Sequence, residues 1–210
     1  MCLARNGGVM RKDLIDLFFL ELSKKTKKPT EVILTGAVAG TLFGHSRPSL
    51  DLDFEIRSKG RTNAAYAQYL DELVREISSK LGVDTNYSED ISHWSMIDFL
   101  EYRKKAIPYK KIGNLNIKLM APDYWTIGKM TRFYEIDIQD MIQVIKKRKL
   151  EANDLIMLWV RALKASPLSL TKRQFIDHVK TFIKTYGKRA WGKSFRTEHL
   201  LQKFGRLLSK

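Results

Sequence analysis

The chain has 210 residues, of which 44% are hydrophobic and 29% charged, and a formal net charge of +15. This balance is that of a globular protein and excludes a disordered chain. No apolar run approaches the roughly 20 residues that cross a bilayer, so we expect no membrane partner. The single cysteine, Cys2, cannot form an intramolecular disulfide or a zinc site, which favours a cytoplasmic location.

The positive charge is concentrated at one end of the chain. Residues 141–210 hold 17 Lys and Arg against 4 Asp and Glu, whereas residues 1–140 hold 21 against 19. Concentrated cations gain affinity for polyanions by displacing phosphate counterions. The distribution favours RNA or DNA as a partner, and the alternative is a solvated basic face that binds nothing.

Helix and strand patterns alternate through the first 120 residues. Apolar spacing predicts an amphipathic helix over residues 11–25, and short apolar or alternating runs predict strands. The elements that follow are a strand at 31–35, a short helix at 37–43, a strand at 51–57, a helix at about 62–81, and strands at 83–87, 95–100, 106–112 and 115–120.

The two longer helix patterns each predict a buried face. In the first helix this face consists of Leu14, Leu17, Phe18 and Leu22. In the second it consists of Tyr66, Leu70, Leu73, Val74 and Ile77. Thr62 and Asn63 are candidate N-caps of the second helix, and Gly82 ends it.

The remainder of the chain is predicted to be helical. Ala121 and Pro122 open a helix, since proline is favoured in a first turn. Aromatic residues at spacings typical of a bundle core are Trp159, Phe175, Phe182, Trp191 and Phe204. We therefore expect an α/β (α+β) protein in two parts, with a small mixed sheet in residues 1–120 and a basic helical bundle in residues 121–210.

The stretch from Leu34 to Phe54 carries the strongest chemical signal. Asp51 and Asp53 alternate along a predicted strand, so both carboxylates leave the same face. Mg²⁺ binds such a pair, with water and substrate phosphates completing its coordination. The alternative is a strand edge whose charges face water. Gly36, between a buried strand and a helix, lets backbone N–H groups approach a phosphate beside the carboxylates.

This stretch resembles the core motif of the DNA polymerase β superfamily of nucleotidyltransferases, specifically its AbiEii-type, toxin-like branch. In that branch a Gly-Gly or Gly-Ser turn precedes the segment R-x-[ST]-x-D-[LI]-D-[FL]. Residues 47–54, RPSLDLDF, fit the segment at every specified position. The turn departs from the pattern, because Gly36 is followed by Ala37, which has no hydroxyl.

The resemblance implies a nucleotidyltransferase fold and the transfer of a nucleotide from an NTP to an acceptor hydroxyl. Asp51 and Asp53 would be catalytic residues that hold Mg²⁺, with Mn²⁺ as an alternative ion. The residues that would bind the triphosphate or brace its loop are Gly36, Ala37, Arg47 and Ser49.

A third acidic residue is also expected in this superfamily, in a hydrophobic-acid-hydrophobic strand next to the aspartate pair. Residues 96–100, MIDFL, offer Asp98 as the base that accepts the hydroxyl proton or as a further metal ligand. The alternative is a solvent-facing acid at a strand end.

The helix after Pro122 extends the resemblance further. Lys129 and Arg132 share a helical face that could meet triphosphate oxygens, and Lys129 and Asp137 are catalytic candidates. Asp137 and Asp140 match the Asp-x-x-Asp pattern that the resemblance places after these cations. The alternative for these two acids is structural: Asp137 would cap the next helix, and the helix dipole would favour Asp140 in its first turn.

The resemblance and the basic end together predict RNA as the acceptor, and a tRNA end as the specific site on it. The corresponding role is that of a toxin–antitoxin or abortive-infection system, in which a cognate antitoxin or toxin protein would be a further partner. Two alternatives stay open. One is an antitoxin-like enzyme that modifies a protein hydroxyl, and the other is a non-catalytic nucleic-acid binder that keeps the fold, for which Ala37 is the hint.

Overall fold

The computed structural model describes residues 11–44, 49–58 and 64–209. Cys2, Arg47 and the predicted cap at residues 62–63 lie outside these ranges. The chain divides into two compact units. Residues 1–42, 46–91 and 105–120 form the first, and residues 43–45, 92–104 and 121–210 form the second.

Ten α-helices and five strands follow one another within the described ranges. The elements up to residue 120 are α1 (Lys12–Lys25), β1 (Thr30–Leu34), α2 (Gly36–Phe43), β2 (Asp51–Ser58), α3 (Ala64–Leu81), β3 (Asp84–Ser88), α4 (Tyr102–Lys105), β4 (Ile107–Ile112) and β5 (Leu115–Leu119). The later helices are α5 (Pro122–Arg132), α6 (Glu135–Arg148), α7 (Ala152–Ala165), α8 (Leu170–Thr181), α9 (Gly187–Trp191) and α10 (Thr197–Ser209).

The strands form one mixed sheet in the order β3-β2-β1-β5-β4, which confirms the predicted α/β class and mixed sheet. β1 pairs antiparallel with β2 and parallel with β5, and β2 pairs parallel with β3. Parallel neighbours need a long crossover, which α3 supplies between β2 and β3. As a result, Asn86 of β3 lies opposite Asp53 of β2.

Phe54 of β2 packs among aromatic rings on the apolar face of the sheet. Its ring centroid lies 6.0 Å from that of Phe18, 5.7 Å from that of Phe19 and 5.5 Å from that of Tyr87. Because side chains alternate along a strand, this packing directs Asp51 and Asp53 to the opposite face.

The two helices that the sequence predicted in most detail differ in outcome. The predicted buried face of α3 is confirmed at all five positions. In α1 the buried face is Ile15, Phe18, Phe19 and Leu22. Two leucines that were expected on that face are not buried: Leu14 is half-buried and Leu17 is 42% exposed. The buried face of α1 is therefore slightly rotated about the helix axis from the face that the spacing of its leucines predicted.

The predicted strand at residues 95–100 is wrong. Ser95 Oγ accepts a hydrogen bond from the Ile97 amide at 2.9 Å, and Ser166 Oγ accepts one from the Asp98 amide at 2.8 Å. The Asp98 carboxylate accepts the Leu100 amide. Side chains thus take the backbone donors that a strand would present to its neighbour.

The helical prediction for residues 121–210 is confirmed, with a π-helical segment at Phe182–Tyr186 between α8 and α9. The expected core aromatics Trp159, Phe175, Phe182 and Phe204 are buried. Trp191 is half-buried, and its Nε1 donates to the Leu150 carbonyl at 2.9 Å. Of the helices in the described ranges, none has both the length and the apolar character that crossing a membrane requires.

The buried face of α1 can be tested by replacing leucine with alanine at one buried and one exposed position. Leu22 is fully buried, so Leu22→Ala should lower the free energy of unfolding by about 2–5 kcal/mol. Leu17→Ala should change it by less than about 1 kcal/mol, because much of this side chain is already in water. Urea unfolding of both variants measures the difference, and equal losses would contradict the assignment.

Candidate functional site

Asp53 and Gly36 are in closer contact than any other amino acid at position 36 would allow. Gly36 has a φ of +59°, and a Cβ built on it would lie 1.6 Å from Asp53 Oδ2. The Thr35 amide donates to the Asp53 carbonyl at 2.9 Å, which extends the pairing of β1 and β2 up to this turn. The turn therefore brings the N-terminus of α2 directly against one carboxylate of the pair.

Two side chains fix the orientation of the carboxylates. Ser49 Oγ donates to the Asp51 backbone carbonyl at 2.7 Å and lies 3.3 Å from Asp51 Oδ1. Asn86 Nδ2 donates to Asp51 Oδ2 at 2.9 Å and to Asp53 Oδ1 at 3.1 Å. With Asp53 Oδ2 against Gly36, each of the four carboxylate oxygens has a defined neighbour.

The neighbours of Asn86 in β3 hold it in place. Tyr87 stacks on Phe54, and its hydroxyl donates to Asp71 Oδ1 at 2.7 Å. Burial, together with the bond to the Asp71 carboxylate, raises the pKa of Tyr87 to about 12. The Thr85 hydroxyl lies 3.0 Å from that of Ser78. Because Thr85 and Tyr87 point towards α3, Asn86 between them points to the aspartate face.

Asn86 was not among the residues predicted from the sequence. A signal was present in the strand DTNY, where Thr and Tyr alternate with Asp and Asn. The length of α3 adds to it, since a long helix between two strands favours parallel pairing. Together these would have placed Asn86 on the same face as Asp53.

Three other residues were predicted to bind the triphosphate or brace its loop: Ala37, Ser49 and Arg47. The Ala37 side chain is 7% exposed, so contact of this residue with a phosphate would come from its backbone. Ser49 is buried and braces Asp51, which is one of the two roles expected of it. Arg47 lies outside the described residues, and its role stays a prediction.

The donor set at Asp51 and Asp53 fits a hard divalent cation. In the described part of the chain, no group of three or more His, Cys, Asp or Glu side chains is placed to hold a metal. Mg²⁺ does not require such a cage, since it is commonly bound through one or two carboxylates plus substrate phosphates. Asp51 and Asp53 supply the two carboxylates, and Asp53 Oδ2 fills the place that a side chain at position 36 would take.

The remaining predicted residues belong to the second unit, where four of them form an ion-pair cluster. Lys129 is 2% exposed, and its Nζ lies 2.8 Å from Asp137 Oδ1 and 2.7 Å from Asp140 Oδ2. Arg132 Nη2 also donates to Asp137 Oδ1, at 2.8 Å. The Arg132 side chain is 52% exposed, so one buried and one exposed cation balance the two buried carboxylates.

The alternative structural role predicted for Asp137, that of a helix N-cap, is wrong. Asp137 does not cap α6, because the helix begins at Glu135 and its N-cap residue is Tyr134. Lys129 and Arg132 do share a helical face, but this face meets carboxylates of α6. Whether either residue also contacts a triphosphate stays a prediction.

Asp98 is placed in the second unit and in no strand, contrary to expectation. Its exposed carboxylate closes a turn by accepting the Leu100 amide, and Leu100 has a φ of +55°. Glu101, the nearby acid, pairs with Arg161 at 2.7 Å. The catalytic role expected of Asp98 stays a prediction.

Comparison of the chain with protein-family models, with curated proteins and with solved structures gave no match in any of the three cases.

Two glycines with nearly the same positive φ provide a test of the Gly36 contact. Gly82 has a φ of +62° and nothing within 4 Å of a built Cβ. Gly82→Ala should therefore lower the free energy of unfolding by about 1–2 kcal/mol, the cost of the left-handed conformation. Gly36→Ala adds the collision with Asp53 and should lower it further, as measured by urea unfolding. Equal losses would show that the close approach is absent in solution.

Proposed function

We propose that this protein is a nucleotidyltransferase that moves a nucleotide from an NTP to an acceptor hydroxyl in a reaction that depends on Mg²⁺. The observation that carries the proposal is the contact between Gly36 and Asp53, next to Asp51 on the same strand face. Two oriented carboxylates, one of them against the N-terminus of a helix, suit a metal-bound triphosphate. The resemblance of residues 34–54 to AbiEii-type enzymes supports the same chemistry.

Asp51 and Asp53 would hold the metal, which would neutralise charge on the triphosphate oxygens. The acceptor oxygen attacks the α-phosphorus and forms a new P–O bond. The bond between the α-phosphorus and the bridging oxygen to the β-phosphate breaks, and pyrophosphate leaves with the electron pair. The hydroxyl proton passes to water or to a nearby base. In such reactions the protein contributes mainly positioning and electrostatic stabilisation.

The first experiment is incubation of the purified chain with total RNA, Mg²⁺ and each α-labelled NTP in turn. We expect label on RNA and release of pyrophosphate. Asp51→Asn and Asp53→Asn should each lower the rate by about 100-fold or more, because each removes a charge from the metal site. Asp13→Asn makes the same change at an exposed acid of α1 and should leave the rate unaltered.

The outcomes separate the three candidate functions. Label on a protein in place of RNA would favour the protein-modifying alternative. RNA binding without label, unaffected by Asp51→Asn, would favour the non-catalytic binder. Labelling that is equal in the native chain and the two aspartate variants would contradict the proposed site.

The charge of the second unit supports RNA as the acceptor. Lys180, Lys184 and Lys188 recur every fourth residue from α8 to α9, and all three are exposed. The core aromatics of this unit are buried and therefore unsuited to stacking on bases. Binding through this surface would depend on phosphate charge and carry little sequence preference.

Removing these three charges should weaken RNA binding in a salt-dependent way. For Lys180→Ser/Lys184→Ser/Lys188→Ser, the slope of log K against log salt should fall in magnitude by about 2 for a single strand. Lys104→Ser/Lys105→Ser/Lys111→Ser removes the same charge from exposed positions around β4 and should change the slope less. Filter binding across a KCl series measures both, and equal slopes would contradict a localised surface.

The biological role that we propose follows from the resemblance. An AbiEii-type enzyme acting on RNA would serve a cytoplasmic toxin–antitoxin or abortive-infection system, with a cognate antitoxin or toxin as partner. Expression of the native chain would then arrest growth, whereas expression of the Asp51→Asn variant would not.

A further inference from the structure

We propose that Asn86 is the third protein ligand of the cation, and that its side-chain amide reverses when the cation binds. The inference rests on the proposed metal site at Asp51 and Asp53. It concerns a residue that neither the motif nor the resemblance identified.

Asn86 already occupies the space shared by the two carboxylates. Its Nδ2 lies 2.9 Å from Asp51 Oδ2 and 3.1 Å from Asp53 Oδ1. An amide nitrogen has two N–H donors, so it can bridge two anionic oxygens that would otherwise repel each other. Asn86 thus holds the pair together by supplying two donors.

The same spacing suits a ligand of Mg²⁺. In an octahedral site with bonds of about 2.1 Å, neighbouring ligand atoms lie about 3.0 Å apart. The terminal amide atom of Asn86 is at this separation from one oxygen of each aspartate. A half-turn of the amide exchanges Nδ2 for Oδ1, which is an oxygen donor of the kind that Mg²⁺ accepts.

The backbone at Asn86 does not need to move for this exchange. Parallel pairing sets Asn86 opposite Asp53, and Tyr87 is fixed by its stacking on Phe54 and its bond to Asp71. The Asn86 side chain itself is exposed, which leaves its amide room to turn. Asn86 would therefore stabilise the carboxylate pair through N–H when the cation is absent and through oxygen when it is present.

Binding of Mn²⁺ alone to the full chain, followed by electron paramagnetic resonance, tests the ligand role. Asn86→Ala removes the oxygen donor and should weaken Mn²⁺ binding by about tenfold or more. Asn86→Asp restores an oxygen and adds a charge, so it should bind Mn²⁺ at least as tightly as the native chain. Circular dichroism and thermal unfolding establish that each variant is folded.

A matched control separates ligation from long-range charge. Asn116→Asp adds the same charge to the same face of the sheet, on β5, where Asn116 pairs with Glu31 of β1. If Asn86→Asp raises the affinity for Mn²⁺ no more than Asn116→Asp does, the ligand role of Asn86 is overturned. Unchanged or tighter binding by Asn86→Ala would also overturn it, because the amide would then only compete with the cation.

The reversal has its own readout in the NMR signal of the Asn86 side-chain NH₂ group, assigned by its loss in Asn86→Ala. Addition of Mg²⁺ should shift this signal upfield as the bonds to the carboxylates are lost. A signal that stays in place while Mg²⁺ binds would overturn the reversal. Mn²⁺ affinity that is equal in the native chain and in Asp51→Asn/Asp53→Asn would instead remove the proposed metal site itself.

Discussion

The repulsion between the Asp51 and Asp53 carboxylates is the constraint on which the arrangement of the first unit depends. Two anions on one strand face are stable only where donors or cations lie close to them. Ser49 comes from the segment before β2, Asn86 from β3 and the glycine turn from the end of β1. Because β2 lies between β1 and β3 in the sheet, all three groups can reach the pair.

The opposite face of β2 supplies the rigidity that this arrangement needs. Asp53 and Glu55 lie on the face of β2 that carries the carboxylate pair. Phe54, between them in the sequence, lies on the other face, where its ring packs against Phe18, Phe19 and Tyr87. A shift of one residue along β2 would move the aspartates into this apolar core. The cluster around Phe54 therefore fixes the register, and through it the direction of the carboxylates.

Much of the fold was predictable because its signals are local. The five-residue face of α3, the β4–β5 hairpin and the helical C-terminal part all follow from periodicity and turn residues. The pairing of β3 with β2 depends instead on contacts between distant segments. Without it Asn86 could not be linked to Asp53, and Asp98 was the expected third group. The strand predicted around Asp98 fails because serine hydroxyls, one of them 68 residues away, take its amides.

The ion-pair cluster of the second unit shows a different limit of sequence reasoning. Spacing correctly indicates that Lys129 and Arg132 share a face of α5, but spacing does not reveal what that face meets. In the structure it meets Asp137 and Asp140 of α6. Replacing Lys129 would break its two buried ion pairs with these carboxylates, and breaking a buried pair costs about 3–5 kcal/mol. Loss of activity on replacing Lys129 would therefore report on catalysis only if stability were measured as well.

The structure weakens the argument that Ala37, which departs from the family pattern, indicates a non-catalytic protein. Position 37 is almost fully buried, whereas Gly36 is the residue in contact with Asp53. A hydroxyl at position 37 would first need a partner in these buried surroundings. Backbone N–H groups at the start of α2 do not depend on the side chain of residue 37. The case for a non-catalytic protein therefore cannot rest on the missing hydroxyl, and the affinity of the aspartate pair for a cation is the property that decides it.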